Sequence, residues 1–109
     1  MPNVYKVLGQ VAPSATTATT AYTVPSSTQA ILSTIVVCNR AASSGTYRIA
    51  IRPDGASLAN THYVAYDIVI AANDSTALTL GITLGDTDVV TVYASSADMT
   101  FSVFGSEIS

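Results

Sequence analysis

The chain has 109 residues, of which 49% are hydrophobic and only 10% charged, and its formal net charge is -3 at pH 7. This length matches one ordinary domain with its own core, and the hydrophobic content excludes a disordered tail. The four basic residues form no cluster and acidic residues outnumber them, so nucleic acid is not an expected partner.

Charged residues are scarce compared with about 25% in typical soluble domains, so Ser, Thr, Ala and Asn must supply most of the exterior. Such a surface favours a protein that is packed against other molecules; a secreted or Thr-rich soluble domain is the alternative. Cys38 is the only cysteine, which excludes an internal disulfide. Because it lies in an apolar segment, it is expected to be a small buried hydrophobic residue. No signal peptide is expected, and the wholly apolar runs, such as Ile35–Cys38, are too short to span a bilayer.

The N-terminal part of the chain predicts two strands joined by a linker. Val4–Val11 alternates loosely and predicts a strand at a sheet edge, which Lys6 would protect from pairing with another chain. Pro13–Thr20 is a low-complexity segment with nothing to bury. Residues 1–20 are therefore expected to form an extended strand and linker, free to dock on a neighbouring subunit. Ala21–Val24 predicts a short strand before a Pro-Ser-Ser turn.

The stretch Gln29–Arg40, with the sequence QAILSTIVVCNR, is predicted to be the central strand. Its β-branched residues disfavour a helix, because they lose rotamer freedom there. Both faces are apolar or nearly so from Ile35 onward, as expected for a strand that is covered on both sides. Simple alternation places its side chains on two faces: Ile31, Ser33, Ile35 and Val37 on one, and Ala30, Leu32, Thr34, Val36 and Cys38 on the other.

Five further strands are predicted downstream, separated by turn residues: Thr46–Arg52, His62–Ile70, Ser75–Leu80, Val89–Ala94 and Met99–Phe104. Pro53-Asp54-Gly55 is a predicted turn, and Gly81–Asp88 is expected to cross between strands as a loop. Alternation groups several apolar residues on inward faces: Tyr47, Ile49 and Ile51; Leu78 and Leu80 with Thr76; and Met99, Phe101 and Val103. In His62–Ile70 it separates two sets: His62, Val64, Tyr66, Ile68 and Ile70 from Tyr63, Ala65, Asp67 and Val69.

These short, evenly spaced strands predict the fold class. Residues 1–109 are expected to form one all-β domain, an antiparallel β-sandwich of jelly-roll-like type. Seven or eight strands are expected, with little or no helix, because no segment shows a helical period.

No constellation of residues predicts an enzyme. His62 is the only histidine and is interpreted as a strand-end side chain, since a metal site needs further ligands. Asp86 and Asp88 resemble a fragment of a calcium loop but lack its remaining ligands, so they are interpreted as turn residues that bond nearby backbone. The sequence therefore assigns no catalytic, cofactor-binding or metal-binding residue, and predicts no cofactor.

Tyrosine is the dominant aromatic residue, with six copies against two phenylalanines and no tryptophan. A tyrosine side chain combines a large apolar body with a polar tip, and so suits an interface. Capping of the sandwich ends is an equally good interpretation. Tyr63 and Tyr66 are expected on opposite faces of one strand, which puts at least one of them outside the core.

An ordered series of segments resembles a family of small structural proteins of tailed bacteriophages, including cyanophages. The segments are VYKVLGQ, YTVP at Tyr22–Pro25, STIVVCNR at Ser33–Arg40, IAIRPDG at Ile49–Gly55, LTLGITL at Leu78–Leu84, DVVTVYAS at Asp88–Ser95 and FSVFGSE at Phe101–Glu107. The resemblance implies a non-enzymatic component on the surface of the virion, assembled in the host cytoplasm. It carries no site residues across.

Three functional hypotheses follow. The first is a capsid decoration or cement protein, often a trimer in tailed phages, that bridges subunits of the major capsid protein. The second is a tail, neck, baseplate or fibre-associated protein, since YTVP and CNR segments also occur there. The third is a glycan- or host-receptor-binding module that uses exposed Tyr and Asn side chains. The expected partners are other virion proteins and further copies of the chain, with no nucleic acid and no membrane.

Overall fold

The computed structural model describes residues 3–79 and 81–109. These residues form nine strands: β1 (Asn3–Val11), β2 (Thr19–Thr23), β3 (Gln29–Asn39), β4 (Gly45–Arg52), β5 (Tyr63–Ile70), β6 (Ser75–Leu78), β7 (Ile82–Leu84), β8 (Val89–Ala94) and β9 (Met99–Ile108). The helical content of the described residues is two single 3₁₀ turns, Pro53–Gly55 and Asn60–His62. The predicted all-β fold is confirmed, with nine strands instead of seven or eight. No helix in this part of the chain has the length and apolar character needed to cross a membrane.

The strands form two antiparallel sheets. Sheet I has the order β1-β9-β3-β6, with β7 also paired to β3, and sheet II has the order β2-β8-β4-β5. The strand pairs are nested around the β4–β5 connection, as in one long hairpin. β4 pairs with β5, β3 with β6 and β7, β2 with β8, and β1 with β9. Wrapping such a hairpin into two facing sheets produces the predicted jelly-roll-like sandwich.

β6 and β7 together occupy one strand position beside β3. β6 pairs with Ile35–Cys38 and β7 with Ala30–Leu32. β7 was not predicted, because its segment was interpreted as part of the loop Gly81–Asp88. The predicted inward position of Leu80 lies outside the described residues. Counting the two segments as one interrupted strand reconciles the nine observed strands with an eight-stranded jelly roll.

The core lies between the two sheets and follows the predicted alternation on several strands. Met99, Phe101 and Val103 of β9 are fully buried, as are Tyr47 and Ile49 of β4. The rings of Tyr47 and Phe101 meet edge to face with centroids 6.2 Å apart, which joins the two sheets at the centre of the core. Burial of these side chains from water is the main stabilising term of the sandwich.

A β-bulge overturns the predicted faces of β3. The pairing of β3 with β9 shifts between Leu32 and Thr34, so the alternation restarts after Ser33. The buried face is consequently made of Ala30, Leu32, Ile35, Val37 and Asn39. Cys38 therefore lies on the outer face and is half-buried, which corrects the prediction that it is a core residue.

A second irregularity changes the faces of β5. Asp67 has a positive φ of 50°, and the pairing of β5 with β4 shifts on the stretch from Tyr47 to Ile49. Ala65 and Ile68, predicted on opposite faces, therefore sit opposite the inward residues Ile49 and Tyr47. The predicted grouping of Tyr66 with Ile68 is wrong for the same reason.

The N-terminal strand lies at the edge of sheet I, as predicted, and pairs with β9 of the same chain from Asn3 to Val11. β2 begins at Thr19, so the linker between β1 and β2 is shorter than the predicted Pro13–Thr20. β1 also approaches β2 closely at Gly9, where an added Cβ would overlap the carbonyl oxygen of Ala21. This contact closes one side of the sandwich.

Candidate interaction surfaces

The outer face of sheet I carries a cup between three strands. Tyr5 of β1 and Ile31 of β3 both sit opposite Ser106 of β9, so two large side chains flank a small one. Phe104 and Ile108 lie two positions to either side of Ser106 on the same face. The cup follows from the sizes of these residues, with a serine at its floor and apolar side chains around it.

The cup is open to solvent and has a volume of about 510 Å³. Its wall residue Tyr5 is 79% exposed and Ile31 is 40% exposed. Ser33, which donates a hydrogen bond from Oγ to the carbonyl oxygen of Phe104 at 3.2 Å, adds a hydroxyl to the lining. The cup therefore suits a large side chain with an apolar body and one polar group.

The outer face of sheet II carries a cluster built on Arg48. Its guanidinium carbon lies 4.2 Å from the ring centroid of Tyr66 and 4.3 Å from that of Tyr93. Arg48 Nε also donates to Asp67 Oδ1 at 2.7 Å. This hydrogen bond is the main reason that the pKa of Arg48 is raised above its usual range. Tyr63 packs edge to face on Tyr66 with centroids 4.9 Å apart, so the two tyrosines lie on the same side of β5 and the prediction that they occupy opposite faces is wrong.

The Arg48 cluster fixes the irregular part of β5 to the rest of sheet II. Asp67, at the positive-φ position, is bonded to Arg48 of the neighbouring strand β4. Arg48 is held in turn between Tyr66 of β5 and Tyr93 of β8, so one cation joins three strands. Alternation with the inward residues Tyr47 and Ile49 puts Arg48 on the outer face, but it does not predict that the two tyrosines converge on it. Arg48 and Tyr93 both alternate with inward apolar residues, so each could be expected on an outer face. Their contact could not be predicted, because the sequence does not show that β4 and β8 are neighbours.

The free edge of sheet II is apolar. β5 pairs with β4 on one side and is the last strand of its sheet. It exposes Val64 at 49%, Tyr66 at 53%, Ile68 at 43% and Val69 at 70%. Its one charged residue, Asp67, is paired with Arg48. Natural proteins usually protect such an edge with lysine, proline or a β-bulge; β5 contains no lysine or proline, and its only such feature is the irregularity at Asp67.

A partly buried clamp joins the two sheets near the cup. Glu107 of β9 accepts a hydrogen bond from the hydroxyl of Tyr22 of β2 at 2.5 Å and lies 2.9 Å from Nζ of Lys6 of β1. These two partners, Lys6 first, lower the pKa of the Glu107 carboxyl below its usual value. Burial and the same hydrogen bond raise the pKa of Tyr22, which keeps its hydroxyl protonated as the donor.

The clamp predicts a pH-dependent contribution to stability. Because the folded-state pKa of Glu107 is lowered, its contribution is present above the usual carboxyl pKa near 4.5 and is lost as pH falls through the lowered value. Replacing Glu107 with glutamine is expected to lower the free energy of unfolding at pH 7 by about 0.5–1 kcal/mol. Urea unfolding at pH 7 and at an acid pH below the lowered pKa of Glu107 should show the two proteins converging at the acid pH, where the native carboxyl is also neutral.

A matched control removes the same charge elsewhere. Asp86 is exposed, and Asp86→Asn should leave the free energy of unfolding nearly unchanged at both pH values. An equal loss for the Glu107 and Asp86 variants would show that net charge, and not the clamp, causes the effect.

The predicted turn residues lie apart from these surfaces. His62 Nδ1 accepts a hydrogen bond from the backbone N–H of Ala59 at 3.1 Å, within the second 3₁₀ turn. The Asp88 carboxylate accepts from the backbone N–H groups of Asp54 at 2.8 Å and Gly85 at 2.9 Å. Asp88 therefore ties two loops together, as its interpretation as a turn residue predicted. Within residues 3–79 and 81–109, no group of three or more His, Cys, Asp or Glu side chains is placed to hold a metal ion.

Comparison with known proteins adds no relative. No protein-family model matches the chain, and a search of curated proteins finds no sequence similar to it.

Proposed function

We propose that this protein is a non-enzymatic structural component of a tailed-phage virion, and that it acts as a capsid decoration protein. The observation that carries the proposal is the combination of a charge-poor chain with exposed apolar surface on both sheets of the sandwich. Only 10% of the residues are charged. Four large side chains of β5 and the cup around Ser106 are open to solvent on opposite sides of the molecule.

Two apolar surfaces on opposite sides suit a protein that bridges other proteins. A decoration protein must contact several capsid subunits, or a subunit and another copy of itself, in order to hold them together. The resemblance of several sequence segments to structural proteins of tailed phages also supports a virion component. Jelly rolls are common in viral capsid and lectin domains, which supports the proposal by analogy of fold alone.

The β5 edge is the surface that we assign to the particle. A free edge strand can add to a sheet of the partner through backbone hydrogen bonds, while its exposed side chains enter apolar pockets. Asp67 is paired with Arg48, so a contact on this edge would not bury an isolated charge without a partner. Val69 is its most exposed side chain and should lie near the middle of the contact.

Binding to particles tests this assignment. Val69→Asp places a charge on the β5 edge and is expected to abolish cosedimentation of the purified protein with capsids that lack it. Ser57→Asp adds the same charge on an exposed loop and should bind as the native protein does. Equal binding of both variants would exclude the β5 edge as the contact.

The number of copies per virion separates the capsid location from the tail location. Quantified protein bands of purified virions should show hundreds of copies for a decoration protein. A few to some tens of copies would instead place it in the tail, neck, baseplate or fibres. Its absence from purified virions would overturn the structural role, and glycan binding by the purified protein would then favour the receptor-binding hypothesis.

A further inference from the structure

The outer face of sheet I carries both halves of a contact. Tyr5 projects from β1 and is 79% exposed, the highest value among the large apolar side chains of the described residues. The cup that begins beside it, with Ser106 as its floor, has a volume of about 510 Å³ and an apolar wall at Ile31, Phe104 and Ile108. A projecting tyrosine and a cup that suits a tyrosine therefore lie side by side and open in the same direction.

From this arrangement we propose that two copies of the chain pair through the outer faces of sheet I, with Tyr5 of each copy in the cup of the other. The tyrosine and the cup lie on one face. When two such faces are opposed about a two-fold axis, the tyrosine of each copy can therefore meet the cup of the other. Such a contact is isologous, so both tyrosines and both cups are occupied at once. The two Tyr5 rings then lie next to each other across the axis.

The charges around the cup permit this pairing. Lys6, which follows Tyr5 on β1, is paired with Glu107 of its own chain at 2.9 Å. The remaining residues around the cup are uncharged: Tyr5, Ile31, Ser33, Phe104, Gly105, Ser106 and Ile108. Two identical faces therefore meet without repulsion between like charges, which would otherwise oppose a two-fold contact.

The available area is sufficient for a specific dimer. The molecule measures 45 × 27 × 19 Å, and the two stacked sheets give the shortest dimension. A contact over half of the 45 × 27 Å face covers about 600 Å² on each copy, which reaches the lower end of the range for specific interfaces. A tyrosine at the centre of such a contact is the kind of residue that contributes most to association.

This inference rests on the proposed function in one respect: it identifies the contact through which copies of a virion protein would associate with each other. The surface it uses is not the β5 edge. Light scattering on the purified full chain measures it without any phage particle. Over about 10 µM to 1 mM, the apparent mass should rise from that of the 11.2 kDa monomer toward twice that value. A mass that stays at 11.2 kDa over this range would overturn the proposal.

Variants locate the contact. Tyr5→Ala is expected to weaken self-association by about 30-fold or more, and Ile31→Asp, which charges the opposite wall of the cup, should do the same. Val69→Ala truncates another highly exposed side chain, on the β5 edge, and should change self-association less than twofold. Circular dichroism of each variant checks that the fold is retained.

The opposite pattern contradicts the proposal. If Val69→Ala dissociates the dimer and Tyr5→Ala does not, the copies pair through the β5 edge and the cup is not their contact. Because particle binding is measured separately through Val69→Asp, the dimer can fail while the virion role stands, and the reverse is equally detectable.

Discussion

Replacing Asn39 with alanine is expected to lower the free energy of unfolding by about 3 kcal/mol, which is a large part of the stability of a domain of this size. Asn39 is 1% exposed at the end of β3. Its Nδ2 donates to the carbonyl oxygens of Ser43 at 3.0 Å and Ala71 at 3.1 Å, and its Oδ1 accepts from the backbone N–H of Ala41 at 3.0 Å. Alanine would leave these partly buried backbone groups without the Asn39 side chain as their partner. Chemical denaturation followed by circular dichroism measures the loss.

Asn39→Asp is a sharper version of the same experiment. It keeps the shape but replaces the donor with a carboxylate that faces two carbonyl oxygens, so the loss at pH 7 should exceed that of the alanine variant. Burial and these carbonyls would raise the pKa of the new carboxyl, so its stability relative to the native protein should recover as pH falls. Asn60→Ala, at an exposed position, is the control and should change the free energy of unfolding by less than about 0.5 kcal/mol. A loss below about 1 kcal/mol for Asn39→Ala would refute the role given to this amide.

Gly105→Ala is expected to cost about 3 kcal/mol, because the new methyl group has no space. A Cβ at this position would overlap the carbonyl oxygen of Ile31 and crowd the Cα of Leu32 at 3.1 Å. Relief by movement of the backbone is blocked, since β9 is paired on one side with β1 and on the other with β3. Thermal unfolding should show a clearly lower melting temperature.

Gly85→Ala is the matched control for this steric argument. Its new Cβ would meet Asp88 Oδ2 at 3.8 Å, an ordinary contact distance. The same chemical change should therefore be neutral or stabilise the protein slightly, because alanine restricts the unfolded chain. Similar losses for the two variants would mean that β9 tolerates displacement at Gly105.

The fold class and most strand positions could be predicted because they depend on local patterns. Alternation of apolar residues with a period of two identifies Met99, Phe101 and Val103 as inward, and the structure buries all three. Turn residues such as Pro53-Asp54-Gly55 mark the strand ends in the same local way. β7 was missed because three residues between two glycines are too few to establish a period.

The faces of β3 and β5 could not be predicted from alternation alone. A single bulged residue reverses every later side chain, as at Ser33 and near Asp67. Neither residue announces a bulge, since the shift is set by how the strand pairs with its neighbours. Asn39 became a core residue and Cys38 an outer one through this reversal.

The candidate surfaces could not be predicted from the sequence, because they depend on which strands are neighbours. The cup needs Tyr5, Ser106 and Ile31 in one row, which requires the first and last strands to be neighbours. The Arg48 cluster likewise needs β4, β5 and β8 side by side. Composition could predict that tyrosines serve an interface, but only the topology shows which of them meet.

The pairing of β1 with β9 has a consequence for how the protein matures in the cell. About 90 residues separate the two strands, so β1 has no partner until nearly the whole described chain has been synthesised, about 5–20 s later at typical translation rates. During that interval its backbone groups are open to other nascent chains. Lys6, halfway along this strand, is then the residue that discourages premature aggregation, before it ever meets Glu107.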